Sequence, residues 1–222
     1  MPVADEVPWE HFPIAAGHMH EWYLAGDFPG RVWYPPLTVM ASLAVQTSHD
    51  GDCRIVWIGR RCWPTFQLLG GLGIDLPRML FLDPVTDGER FWAIDQALRS
   101  GGIHAVVADG SGMSQTTSRR LQLAAESGSA LALLARPPWE AEEASYAATR
   151  WEVRARGGGE MMQWEIQLLS CRGQQRGQDA PPHWNAEWSY QVYRGKGTVH
   201  LSPRVGRGAA AAADGAALSR TA

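Results

Sequence analysis

Apolar positions recur along the chain at two different spacings, and the pattern changes near Pro138. Before that point, short apolar runs alternate with longer segments whose apolar residues fall three and four apart. "HEWYL" (20–24), "CRIVWIG" (53–59), "MLFLDP" (79–84), "IHAVVADG" (103–110) and "SALALLARP" (129–137) are the short runs. Their length and their Gly and Pro boundaries predict buried strands. "LTVMASLAVQTS" (37–48), "TFQLLGGLGI" (65–74), "DGERFWAIDQALRSG" (87–101) and "TSRRLQLAAESG" (117–128) carry the helical spacing. In the third helix the expected core face is Phe91, Trp92, Ile94, Ala97 and Leu98, with Gly101 as its stop. In the fourth it is Leu121 and Leu123–Ala125, with Ser118 as the cap. Strands alternating with helices predict an α/β fold, a mainly parallel sheet covered on both faces.

After Pro138 the period becomes two. "TRWEVRARGGG" (149–159), "QWEIQLLSCRG" (163–173) and "HWNAEWSYQVYR" (183–194) alternate polar and apolar residues and end in Gly-rich turns. They predict antiparallel strands that extend the same sheet. Residues 1–19 are Pro-rich and predict an irregular arm, and 20–202 form one domain. The Ala- and Gly-rich stretch 203–222 predicts a disordered tail.

Composition narrows the field further. With 222 residues, 45% hydrophobic and a net charge of −3, the chain has enough material for one good core and lacks the basic footprint of a nucleic-acid binder. It has no apolar run long enough for a membrane span, and the N-terminal "MPVADEVPWEHFP" lacks the pattern of a secretory leader. Cys53, Cys62 and Cys171 have no C-x-x-C spacing and read as reduced thiols in a cytoplasmic protein. The 11 tryptophans are expected as core or interface anchors. His18 and His20 lack the further ligands that a metal site needs.

One strand ends on an acid. Asp109 closes "IHAVVAD" and is followed by Gly-Ser-Gly, where many nucleotide-binding α/β proteins hold Mg²⁺ beside a triphosphate. Such an acid serves a phosphate loop, G-x-x-x-x-G-K-[ST], placed between the first strand and the first helix. The residues there are "GDFPGRVWYPP". Gly26 and Gly30 stand one residue too close, Arg31 replaces the lysine and Val32 the hydroxyl, and Pro35 and Pro36 remove two backbone donors. Lys196 is the single lysine of the chain, in "GKG". The expectation is a protein without ATP turnover, not an enzyme, needing no cofactor or metal. Asp109 is then an inherited acid that caps the next turn.

The stretch "GIDLPRMLFLDPVTDGERFWAIDQALRSGGIHAVVADG" (73–110) resembles the core of bacterial RecA recombinase, and "YAATRWEVRA" (146–155) resembles the strand after its second DNA loop. "TTSRRLQLAAESGSALALLARP" and "W-x-I-x-LL-x-CRG" (164–173) are similar to the ImuA family, RecA-like accessory proteins of translesion-synthesis operons that are related to the SulA division inhibitors. The resemblance implies a three-layer RecA-like fold with antiparallel C-terminal strands. It places Asp109 on the metal-holding acid and Arg172 near a basic residue that reaches a neighbour's nucleotide, both as remnants. Arg60 and Arg61 stand where the water-positioning glutamate belongs. Glu140, Glu142 and Glu143 fall in the second DNA loop, where negative charge repels phosphates, so direct DNA binding is expected to be weak or absent.

The function this implies is SOS-induced, protein-mediated help to an error-prone polymerase complex. Its partners would be a Y-family-like component of the mutasome, the error-prone replicative polymerase, and RecA. A SulA-like inhibitor that binds FtsZ is the alternative, followed by a DNA-stimulated ATPase. Candidate partner contacts are Arg119 and Arg120, which read equally as a solvated helix face, and Trp184, Trp188, Tyr190 and Tyr193, whose more ordinary reading is core. Trp9 and Phe12 in the arm would assist.

Overall fold

The computed structural model describes residues 14–47, 54–72, 76–156, 161–172, 187–193 and 199–204. Nine strands form one sheet in the order β3-β2-β4-β5-β1-β6-β7-β8-β9. The strands are β1 (Met19–Leu24), β2 (Ile55–Ile58), β3 (Met79–Leu82), β4 (Ala105–Asp109), β5 (Leu131–Arg136), β6 (Thr149–Arg156), β7 (Met161–Cys171), β8 (Glu187–Tyr193) and β9 (Val199–Arg204). The first six pair in parallel, and β7, β8 and β9 add antiparallel. Helices α1 (Leu37–Gln46), α2 (Phe66–Gly71), α3 (Asp87–Arg99) and α4 (Gln115–Gly128) connect the parallel strands. The expected α/β architecture is present, and β9 reaches past Pro203 to Arg204, beyond the expected domain end at 202.

Two apolar layers hold the sheet. On one face α1 packs Val39, Met40, Leu43 and Ala44, together with Leu69 of α2, against Trp57, Val107, Leu133 and Trp151. On the other, Phe91, Ile94 and Leu98 of α3 and Leu121, Ala124 and Ala125 of α4 cover Val56, Val106, Ala132 and Leu134. Strand alternation sorts the two sets, since successive residues point to opposite faces. Parallel strands covered on both faces need apolar residues at nearly every position, which is why β2, β4 and β5 read as unbroken apolar runs.

Trp22 of β1 and Trp151 of β6 sit directly opposite in register and stack at 5.6 Å between centroids, both fully buried. Beside them His20 is also buried. The Thr149 hydroxyl accepts from Trp151 Nε1 and bonds His20 Nδ1 at 2.7 Å, while His20 Nε2 lies 3.3 Å from the Ala15 carbonyl and 3.4 Å from the Ala15 amide. Burial is the main cause that drops the His20 pKa from 6.5 to about 3.

Three helix expectations change. Ser114, not Ser118, caps α4 by accepting from Thr117 N–H, and Ser118 is buried, bonded to Ser145 Oγ and Tyr146 N–H. Leu123 is half exposed, because α4 buries Leu121, Gln122, Ala124 and Ala125 instead. Trp92 is 65% exposed, since the buried stripe of α3 runs Phe91, Ile94, Asp95 and Leu98 and turns Trp92 outward. Glu89 at the start of α3 completes a capping box, with Thr86 Oγ1 accepting from Glu89 N–H and Glu89 accepting from Thr86 N–H, and the neighbouring Asp87 pairs with Arg90 at 3.0 Å. Among the described residues, no helix is long and apolar enough to cross a membrane.

The His20 environment sets a pH dependence. The unfolded chain takes up a proton on this ring near pH 6.5, while the folded chain resists protonation down to about 3. The stability held by the neutral ring is therefore full above pH 6.5 and is lost as pH falls through that window, at up to about 1.4 kcal/mol per pH unit. Urea unfolding across this range is expected to show that slope, and His20→Asn to lack it.

Candidate functional site

The carboxyl end of the parallel strands is where an open α/β sheet binds its ligand. Asp109 lies there at the end of β4, with its side chain nearly buried and Oδ1 accepting from Ser111 N–H at 2.9 Å. This is the turn-capping role expected for it. A second partner was not anticipated. Arg61 places Nε 3.5 Å from Asp109 Oδ2, donates from Nη1 to the Trp33 carbonyl at 2.9 Å, and lies 4.7 Å from the centroid of the Trp33 ring. A guanidinium thus stands against the acid and over a buried tryptophan from the β1–α1 connection.

Local structure explains how Arg61 reaches that position. The chain leaves β2 through Gly59 at φ +85, and a Cβ there would come within 3.1 Å of Asp109 Cβ. Only glycine permits this left-handed, close approach. A single 3₁₀ turn, Arg60–Cys62, then directs Cys62 into the core and Arg61 to Asp109. Burial, aided by the nearby Asp109 charge, pushes the Cys62 thiol up, away from a reactive thiolate. Arg60 turns outward to Asp83 at 2.9 Å.

The β1–α1 connection offers few free backbone donors of its own. Pro36 is the N-cap of α1 and makes no side-chain capping bond, and Leu37 N–H is taken by the Pro35 carbonyl at 2.8 Å. Arg31, standing where the loop lysine belongs, lies 5.7 Å from the Trp139 ring centroid.

Beyond β5 the structure builds a cluster that sequence reasoning missed. Arg136 and Glu21 are both completely buried and paired at 3.3 Å. Arg136 also pairs with Glu140 and Glu143, each at 2.7 Å, and donates to the Met113 carbonyl. Glu21 further accepts from Arg150 Nε, the Tyr23 hydroxyl and the Ser145 hydroxyl. Tyr23 is held protonated, its pKa raised by burial and by the Glu21 carboxylate. Two of the three acids expected to repel phosphates are therefore ion-pair partners of the buried Arg136, Glu140 from inside and Glu143 from an exposed position, and Glu142 is an exposed acid without such a role. The available signal was a charged residue inside each of two apolar strands, "HEWYL" and "ALALLAR".

The remaining candidates separate. Arg119 and Arg172, expected in unrelated roles, converge on Tyr146, with guanidinium carbons 5.7 and 4.5 Å from its ring centroid. Arg120 turns instead to Asp95 of α3 at 3.7 Å. Trp188, Tyr190 and Tyr193 belong to β8, which is paired on both sides, by β7 and β9. Trp184, Trp9 and Phe12 lie outside the described residues. The sheet edges are β3 and β9, and β3 exposes Leu80, Phe81 and Leu82, with Phe66, Val85 and Trp92 also exposed nearby in sequence. Among the described residues no group of three or more His, Cys, Asp and Glu could hold a metal ion.

No family model matches the chain, and no curated protein matches it. Among solved structures it is similar to the crystal structure of SulA from Pseudomonas aeruginosa, at 25% identity and a TM-score of 0.42, over 53% of this chain and 97% of that one.

The buried cluster yields a stability test. Arg136→Met leaves the buried Glu140 without its cation and Glu21 with Arg150 alone, and is expected to lower the unfolding free energy by about 3–5 kcal/mol in urea titrations. Combining it with Glu21→Leu should cost less than the sum of the two single changes, since both remove the same Arg136–Glu21 pair.

Proposed function

We propose that this chain is a non-catalytic, RecA-like cytoplasmic protein that acts by contacting other proteins, as the accessory factor of an error-prone polymerase assembly in translesion synthesis. The observation that carries the reading is the Arg61 guanidinium set between Asp109 and Trp33. A bound Mg²⁺-triphosphate would require that position, and a cation already fixed there opposes a metal ion by like charge. The prolines before α1 add to this, because they remove donors that a phosphate would need.

Helices on both faces of parallel strands, followed by antiparallel strands, agree with the RecA-like arrangement that the sequence resemblance implies. For contact with a protein, the favourable surface is the β3 edge, where apolar side chains and unpaired backbone groups are exposed together. The aromatic residues Trp184, Trp188, Tyr190 and Tyr193 are the second proposed contact region. Its proposed partners are the Y-family-like component, the replicative polymerase it assists, and RecA.

Two measurements test this. Purified protein with Mg-ATP and single-stranded DNA is expected to release no phosphate, and turnover that Asp109→Ala abolishes would overturn the reading. Affinity capture with the full chain from DNA-damaged cells is expected to recover the polymerase components. Phe81→Asp, with folding confirmed by circular dichroism, should weaken that capture by about tenfold or more. Recovery of FtsZ in their place would transfer the chain to the SulA-like role.

A further inference from the structure

Tyr146 forms the floor of a groove of about 490 Å³ between α4 and the starts of β1 and β6. Arg119 and Arg172 flank the ring, Leu123 presents a half-exposed apolar side chain beside them, and His18 is exposed at the rim. We infer that this groove is a docking site for an acidic segment of a partner protein, one that sets aspartate or glutamate side chains beside an apolar residue. The inference rests on the protein-contact reading above and names the chemistry of one of its surfaces.

The platform is built in advance. Tyr146 N–H donates to the buried Ser118 hydroxyl at 2.7 Å, and Arg172 N–H donates to the Ala148 carbonyl at 2.7 Å. Arg172 Nη1 donates to the Tyr146 carbonyl at 3.2 Å, which leaves Nε and Nη2 without a partner among the described residues. Arg119 makes only its ring contact there. A guanidinium stacked on an aromatic face uses its plane and keeps its N–H edge free, and that edge matches the two oxygens of a carboxylate. Ordering both cations before binding removes part of the entropy cost of forming the contact.

Charge favours an acidic peptide over a nucleic acid. Among the described residues the groove is lined by two guanidiniums, Arg119 and Arg172, against one carboxylate, Glu126, so it carries a net positive charge in a chain of net charge −3. A nucleic-acid strand needs a track of cations along successive phosphates, and the groove offers two guanidiniums closed off by a carboxylate. Leu123 gives an apolar neighbour its contact.

The test uses the full chain and a short fluorescein-labelled peptide of repeated Asp-Asp-Leu, followed by anisotropy at physiological salt. Saturable binding is expected, with loss of about tenfold or more in Arg119→Gln and in Arg172→Gln. Leu123→Asp should weaken it as well, and Arg154→Gln, toward the opposite end of β6 and outside the groove lining, should not. A Lys-Lys-Leu peptide and oligothymidylate are expected to compete with none of it. No saturable binding, or equal binding by all variants, overturns the inference. So does tight oligothymidylate binding that the two arginine changes abolish, which would assign the groove to nucleic acid. Capture from damaged cells separates the two readings. If the double arginine variant recovers the polymerase components at full strength, the groove assignment fails and the proposed function stands. If the unaltered chain recovers none, the function fails whatever the peptide does.

Discussion

A guanidinium with no access to water has to be neutralised and fully hydrogen-bonded, and much of this structure follows from meeting that demand at Arg136. Its partners come from three places: Glu21 on β1, Glu140 and Glu143 in the segment that follows β5, and the Met113 carbonyl ahead of α4. The residues after β5 must travel from the carboxyl end of the parallel strands back to the start of β6. Arg136 fixes the first half of that path through Glu140 and Glu143. Ser145 and Tyr146 fix the second, by bonding to Glu21 and Ser118. The antiparallel half of the sheet begins where this path ends, so its placement depends on a charge cluster rather than on apolar contact alone. Three carboxylates face two guanidiniums in the cluster, and the Tyr23 and Ser145 hydroxyls supply the remaining donors.

The same principle governs the carboxyl end of β4, the strand next to β5. An acid at a strand end with no metal beside it still needs a compensating charge or donors. Here it receives both, a backbone N–H from Ser111 and the guanidinium of Arg61. The stacking of Arg61 on Trp33 ties the β1–α1 connection to the turn after β2. A triphosphate loop has to open its backbone amides toward a ligand. This connection closes on the protein's own side chains.

Most of the architecture was legible because parallel strands and their helices carry different periods. Each predicted element before Pro138 is present, with boundaries moved by a few residues. What the pattern could not show was which flank of a helix meets the sheet. Trp92 and Leu123 are apolar and adjacent to buried positions, yet each lies outside its helix's buried stripe. The α4 cap was misplaced because Ser114 and Ser118 are one turn apart and both precede apolar residues, and only the fold reveals that Ser118 is needed to hold Tyr146. At the site, the turn-capping role of Asp109 was readable from its place at the end of an apolar strand. The Arg61–Asp109 contact was not, since it joins positions 48 apart in sequence through a glycine-permitted turn. Arg119 and Arg172 could be singled out separately, but nothing in the sequence brings both to one tyrosine ring.

The β3 edge has a consequence for how much of this protein a cell can keep. An edge strand with partly exposed apolar side chains, paired on one side only among the described residues, is a template for pairing with any similar strand. A partner that covers it stabilises the folded chain by mass action, and without one the edge invites self-association and the attention of chaperones and proteases. The steady-state amount of this protein would then follow the supply of whatever covers β3 rather than its own rate of synthesis. Stoichiometry with the partner would be set by clearance of the uncovered surplus.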